Sequence, residues 1–196
     1  MGVTDGSWFR HLAARPGLEE VNFWRPSGKD FKALSAGELF LFKLHHPANV
    51  IVGGGFFARS LILPVALAWE AFGQANGAST LGEVKIRIGQ YRRQPIGALD
   101  NPPIGCILLA EPFFFTQEDW IEVPPDFAKN IVQGKTYDTD TERGNQLYEQ
   151  VADRLKRTQD QLPSGPAVKA IVQGPRYGAP RPVAPRLGQG TFRALV

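Results

Sequence analysis

Three observations place this chain among α+β folds built on a strongly bent sheet or small β-barrel flanked by about three to five helices. Strand-like runs are scattered along the chain instead of alternating regularly with helices. Two capping-box signatures, Thr80 with Glu83 and Thr139 with Glu142, mark helix starts far apart in the sequence. The unbroken apolar run Ile104–Ala110 has the character of a central strand.

Taken in order, residues 1–36 carry Trp8, Phe9, Phe23, Trp24 and Phe31 among polar and turn residues. They read as an N-terminal arm pinned to the body by aromatic anchors, with a short helix over Gly6–Ala14. Gly37–Leu44 alternates, and Val50–Phe57 is apolar but interrupted by Gly53–Gly55, so both read as strands able to pair as neighbours. Ser60 is a candidate cap for a helix over Leu61–Phe72, with Pro64 near its first turn, Trp69 and Phe72 facing inward and Gly73 to stop it. From Thr80, the residues Leu81, Val84, Ile88 and Tyr91 recur at helical spacing as far as Arg93. Lys85, Arg87, Arg92 and Arg93 fall on the flanks and back of that helix, the most concentrated basic surface in the sequence, and Pro95 ends it.

Ile96–Pro103 is a turn region, Ile104–Ala110 a strand, and Pro112–Phe115 extends the sheet after a break. Gln117–Phe127 reads as a loop with a buried Trp120. A third helix starts near Thr139 and turns Leu147, Tyr148, Val151 and Leu155 inward; Arg154, Lys156 and Arg157 fall in its last turn, where cations suit the helix dipole. Ala167–Gln173 reads as a final strand, and residues 174–196 are rich enough in Pro and Gly to behave as a linker.

At 196 residues the chain fits one domain, here residues 1–173, with an apolar fraction sufficient for a core. The formal charge is only +3, so a basic face depends on clustering and not on the total. Cys106 is the single cysteine, which leaves no disulfide or cysteine-based metal site within the chain and makes core packing its expected role. No signal-peptide pattern occurs and no stretch approaches the roughly 18 apolar residues of a membrane span, so a soluble, cytoplasmic protein without membrane contact is expected. P-loop, GxSxG, CxxC and HExxH patterns are absent, and His11, His45 and His46 are the only histidines; neither catalysis, a metal site nor a cofactor is expected.

The stretch Leu44–Ser60, LHHPANVIVGGGFFARS, has the make-up of a site wall. Its three glycines allow close approach of a ligand or another chain, or else form a bulge in an ordinary strand. Adjacent His45 and His46 in an extended segment point to opposite faces and make poor joint ligands. A nucleic-acid reading suits the chain better: basic residues of the Thr80–Arg93 helix to hold phosphates, and an apolar loop rich in Pro, Gly and Phe to read a flipped base, a base edge or a modified backbone. The phenylalanines also serve as core.

The last residues, APRLGQGTFRALV, look like the junction leading into the HNH nuclease domain of McrA-like modification-dependent restriction endonucleases. FKLHHPANVIVGGGFFARS, LPVALAWEAFG, PPIGCILLAEPFFF and NIVQGKTYD resemble the sulfur-binding domain that precedes it in that family. The resemblance implies a module that recognises double-stranded phosphorothioated DNA for type IV restriction, with a PUA-like barrel as one form of its sheet. The linker would lead to an HNH domain that this sequence does not contain; homodimers would belong to the full-length family. It also implies an apolar sulfur pocket. His46 beside Pro47, and Pro95-Ile96-Gly97-Ala98 after the basic helix, are the positions most similar to the family's pocket. Gln94 stands where the family has a tyrosine, with Tyr91 a turn earlier, and the arginine that follows the family's histidine is missing, which leaves Arg59, Arg92 or Arg93 for its role. Phosphate contacts would come from Lys85, Arg87, Arg92 and Arg93. A modified-base reader and a small-molecule enzyme are the rival readings.

Overall fold

The computed structural model describes residues 1–128, 130, 131 and 133–159; the expected strand Ala167–Gln173 and the linker over 174–196 lie outside the described residues. The elements in order are β1 (Gly2–Thr4), α1 (Gly6–Ala13), β2 (Glu20–Arg25), β3 (Leu39–Leu44), β4 (Val50–Pro64), α2 (Val65–Phe72), α3 (Leu81–Arg92), β5 (Pro103–Phe114), β6 (Ile121–Glu122) and α4 (Glu142–Gln159). The fold is α+β with a strongly curled sheet, in strand order β1-β3-β4-β5-β2, with β6 paired to β4 off that path.

Several boundaries differ from the sequence reading for local reasons. The segment expected as an arm contributes β1, α1 and β2. Asp5 caps α1 by accepting the Trp8 N–H at 2.7 Å, and β2 pairs antiparallel with β5, Phe23 opposite Ile107 and Trp24 opposite Cys106. The helix expected from Leu61 begins four residues later. Pro64 disfavours helical backbone in the residue before it, so Leu61–Leu63 continue β4. Ser60 caps nothing there: its Oγ donates to Asp30 Oδ1 at 2.9 Å and accepts the Phe31 N–H at 3.1 Å. Helix α3 matches expectation, Thr80 accepting the Glu83 N–H at 3.2 Å; of the residues at helical spacing, Val84 and Ile88 are buried and Tyr91 is 44% exposed. The cap of α4 is Thr141 and not Thr139, since Thr141 Oγ1 accepts the Gly144 N–H at 3.2 Å. Trp120 is half-buried, and the neighbouring Ile121 in β6 is the residue that reaches the interior. The break expected before Pro112 is Glu111, with φ of 47° and its N–H bonded to Glu19 O at 2.9 Å.

The described residues fall into two compact units, one of residues 1–3, 41–53 and 114–159, the other of residues 4–40 and 54–113. In the first, Ile51, Val52, Phe115, Leu147, Val151 and Leu155 are buried and Phe42 stacks on Phe114 with ring centroids 5.8 Å apart. In the second, a core of Trp24, Leu63, Val65, Phe72, Val84, Ile88, Ile104 and Leu108 includes Cys106, as expected of that residue. Burial pushes its thiol up to about 11. The polar side chain of Asn76 is held inside this unit, accepting from Asn22 Nδ2 at 2.9 Å and donating to Ala68 O at 3.1 Å, so its burial is offset by hydrogen bonds.

Candidate nucleic-acid interface

The C-terminal end of α3 and the loop after it bring together most of the residues singled out by the sequence. The helix closes in a Schellman arrangement: the Arg93 N–H reaches Gln90 O at 3.2 Å and the Gln94 N–H reaches Gly89 O at 3.0 Å. The position that glycine usually fills is Arg93, in left-handed backbone with φ 56° and ψ 30°. Beyond it the loop is tied down but open to solvent. Asp100 Oδ2 accepts the Gly97 N–H at 2.7 Å, and Lys85 Nζ donates to Ala98 O at 2.6 Å. Gln94, Pro95, Ala98 and Leu99 are nonetheless exposed, Leu99 to 98%. The Tyr91 ring meets Trp24 edge-on, centroids 6.0 Å apart, and its hydroxyl lies 3.5 Å from Asp5 Oδ2. Burial, then the Asp5 carboxylate, push that hydroxyl up to about 12, so it stays protonated and available as a donor.

The basic surface expected on α3 is largely engaged within the protein. Lys85 is buried, with its ammonium on Ala98 O. Arg87 donates to Gly77 O at 2.7 Å and lies 4.0 Å from Glu83. Arg92 donates to Pro26 O and Pro103 O, both at 2.7 Å, and so ties the end of the helix to the chain around β2 and β5. Charge alone did not separate these three from a solvated phosphate-binding face, because their acceptors are carbonyls distant in sequence. Arg93, exposed, has no polar partner among the described residues. Arg59, half-buried in β4, keeps its Nε shielded from solvent without a partner among the described residues.

His46 and Pro47 belong to the other compact unit, in the turn His45–Asn49 after β3, exposed from His46 onward; their shared peptide is cis, and the turn closes with the Asn49 N–H on His45 O at 3.2 Å. The triple glycine is buried within β4. A Cβ on Gly55 would stand 3.2 Å from Leu109 Cβ and 3.3 Å from Ala110 O, so the close approach it permits is to β5. On α4, Arg154 donates to Asp119 O at 3.2 Å, Arg157 pairs with Asp119 at 3.3 Å and Lys156 with Asp153 at 3.7 Å, a structural use of these cations.

Sequence reasoning missed Lys43 in β3, a buried lysine whose Nζ lies 5.1 Å over the Phe127 ring and whose ammonium burial lowers from its ordinary range. It also missed the exposed Lys29 and Lys32, which lie between β2 and β3. No group of three or more His, Cys, Asp or Glu suited to a metal ion occurs among the described residues, and no helix there is long and apolar enough to cross a membrane. Comparisons with protein-family models, curated proteins and solved structures return no match for the chain.

Proposed function

We propose that the chain is a DNA-binding module that recognises a phosphorothioate in duplex DNA, serving modification-dependent restriction by directing a nuclease domain. The observation that carries this reading is the loop Gln94–Leu99: Pro95, Ala98 and Leu99 are exposed, and yet the loop is tied by hydrogen bonds to Lys85 and Asp100, with Arg93 preceding it. Apolar surface that is both ordered and open to water is the kind of surface a ligand covers. A non-bridging sulfur is larger and more polarizable than oxygen and accepts hydrogen bonds weakly, so it loses little on contact with Pro95, Ala98 and the ring of Tyr91. A phosphate oxygen there would give up hydrogen bonds to water. Arg93 and the half-buried Arg59 would hold the charge of the backbone. His46 and Pro47 take no part in this proposal.

The chain itself performs no covalent step in this reading. The test is a gel shift at moderate salt with phosphorothioated and plain duplexes of one sequence. Preference for the sulfur-bearing duplex supports the proposal; equal affinity refutes sulfur recognition. Preference for a methylated duplex would favour a modified-base reader, and binding to no duplex would refute the DNA-binding reading altogether.

A further inference from the structure

We infer that the loop between β2 and β3 is a second phosphate-contact element of the DNA interface, in which Lys29 and Lys32 take backbone phosphates alongside Arg93 and Arg59; this rests on the nucleic-acid reading above.

The connection runs from Pro26 to Glu38 without regular secondary structure. Strand-to-strand connections of such length are uncommon in compact domains and belong either to disordered linkers or to functional loops. This one is anchored along its first half. Pro26 O accepts from Arg92 at 2.7 Å, and Ser27 O accepts the Gly105 N–H at 3.1 Å. Gly105 is required there, since a Cβ would stand 2.9 Å from the Lys29 carbonyl oxygen. Asp30 O lies 3.5 Å from Arg25 Nη1, and Asp30 Oδ1 accepts from both the Phe31 N–H and Ser60 Oγ at 2.9 Å. The Phe31 ring packs 5.5 Å from Phe57 and 6.0 Å from Phe40.

These anchors have two consequences. The one carboxylate between the lysines is occupied by an N–H and a hydroxyl, whereas Lys29 and Lys32 are exposed and have no polar partner among the described residues. The anchoring residues are also sequence neighbours of the two cations already assigned to phosphate: Arg92 precedes Arg93, and Ser60 follows Arg59. Four cations from three segments of one compact unit are thus tied through a common loop, and the repeated charge of a nucleic-acid backbone is the partner such a set fits.

The experiment is to measure affinity against salt for the full chain and for the double variant Lys29→Ala/Lys32→Ala, on phosphorothioated and plain duplexes. Each lost phosphate contact removes about 0.9 from the slope of log affinity against log salt, so the double variant should lose about 1.8. Between about 50 and 200 mM salt its affinity should therefore fall about 12-fold less steeply than that of the parent. The ratio between the two duplexes should not change, and Lys29→Arg/Lys32→Arg should keep the parent slope. An unchanged slope in the alanine variant, while the parent binds DNA, overturns the role of the loop and leaves sulfur recognition standing. A change confined to the sulfur-bearing duplex overturns it as well, because these lysines would then read the modification. Failure of the parent to bind either duplex overturns both readings, and a circular dichroism melt of the variant at the parent temperature excludes unfolding as the cause of any loss.

Discussion

Replacing Arg93 by glycine separates the local fold from the proposed function, because the two should respond in opposite directions. Arg93 occupies left-handed backbone, φ 56° and ψ 30°, at the close of α3. In that conformation the Cβ of an L-residue crowds its own carbonyl, at a cost of roughly 1–2 kcal/mol. Glycine removes the clash but returns about 0.4–1 kcal/mol of entropy to the unfolded chain. The Arg93 side chain has no polar partner among the described residues, and Arg93→Gly should be more stable by roughly 0.5–1 kcal/mol. For a chain of this length that is a rise in Tm of about 1–4 °C. Arg93→Ala keeps the strained backbone and should melt close to the parent. Both variants lose the same charge, so both should lose about 0.9 from the salt slope of DNA affinity. The assay pairs thermal denaturation with salt titration of binding. A glycine variant that melts at or below the parent temperature refutes the argument from strain, and undiminished salt dependence in both variants refutes the assignment of Arg93 to phosphate.

Two further outcomes follow from the same geometry. Gly55→Val puts a branched side chain where even a Cβ stands 3.2 Å from Leu109 Cβ, so urea denaturation should show a loss of about 1–3 kcal/mol; parental stability would mean that β4 and β5 can separate at no cost. The His11 imidazole is lowered from its ordinary 6.5 by burial, then by Arg15 and Arg87, against the opposing pull of Glu83 and of a hydrogen bond that the ring donates to the Gln74 backbone. A group whose folded value lies below its unfolded one binds its proton more readily in the unfolded chain, so stability should fall as pH drops through about 6.5 and toward the lower folded value. The urea midpoint of the parent should therefore decline more between pH 7.5 and 5.5 than that of His11→Gln; equal declines would remove His11 as the cause.

The sequence by itself determined those features whose cause is local. The capping box at Thr80 and Glu83, the helical spacing through Val84 and Ile88, the stop at Gly73 and the apolar run around Cys106 depend on neighbours a few residues away, and all four reappear in the structure. The α+β class follows from such elements together. Where two local rules compete, the sequence was ambiguous: Ser60 offered a cap, but Pro64 kept Leu61–Leu63 extended. Strand β2 was hidden because it is buried on both faces, so Val21–Trp24 show no alternation and read as aromatic anchors.

The fate of the charges was decided by the tertiary structure alone. Lys85, Arg87 and Arg92 are indistinguishable in the sequence from cations facing solvent, yet each ends on a backbone carbonyl that folding brings to it: Ala98, Gly77, and Pro26 with Pro103. A carbonyl leaves no trace in the residue type that carries it, so its claim on a cation is invisible until the chain is folded. The same contacts leave Arg93 exposed at a strained helix end and hold the loop that presents Lys29 and Lys32, residues that sequence reasoning had placed in an arm.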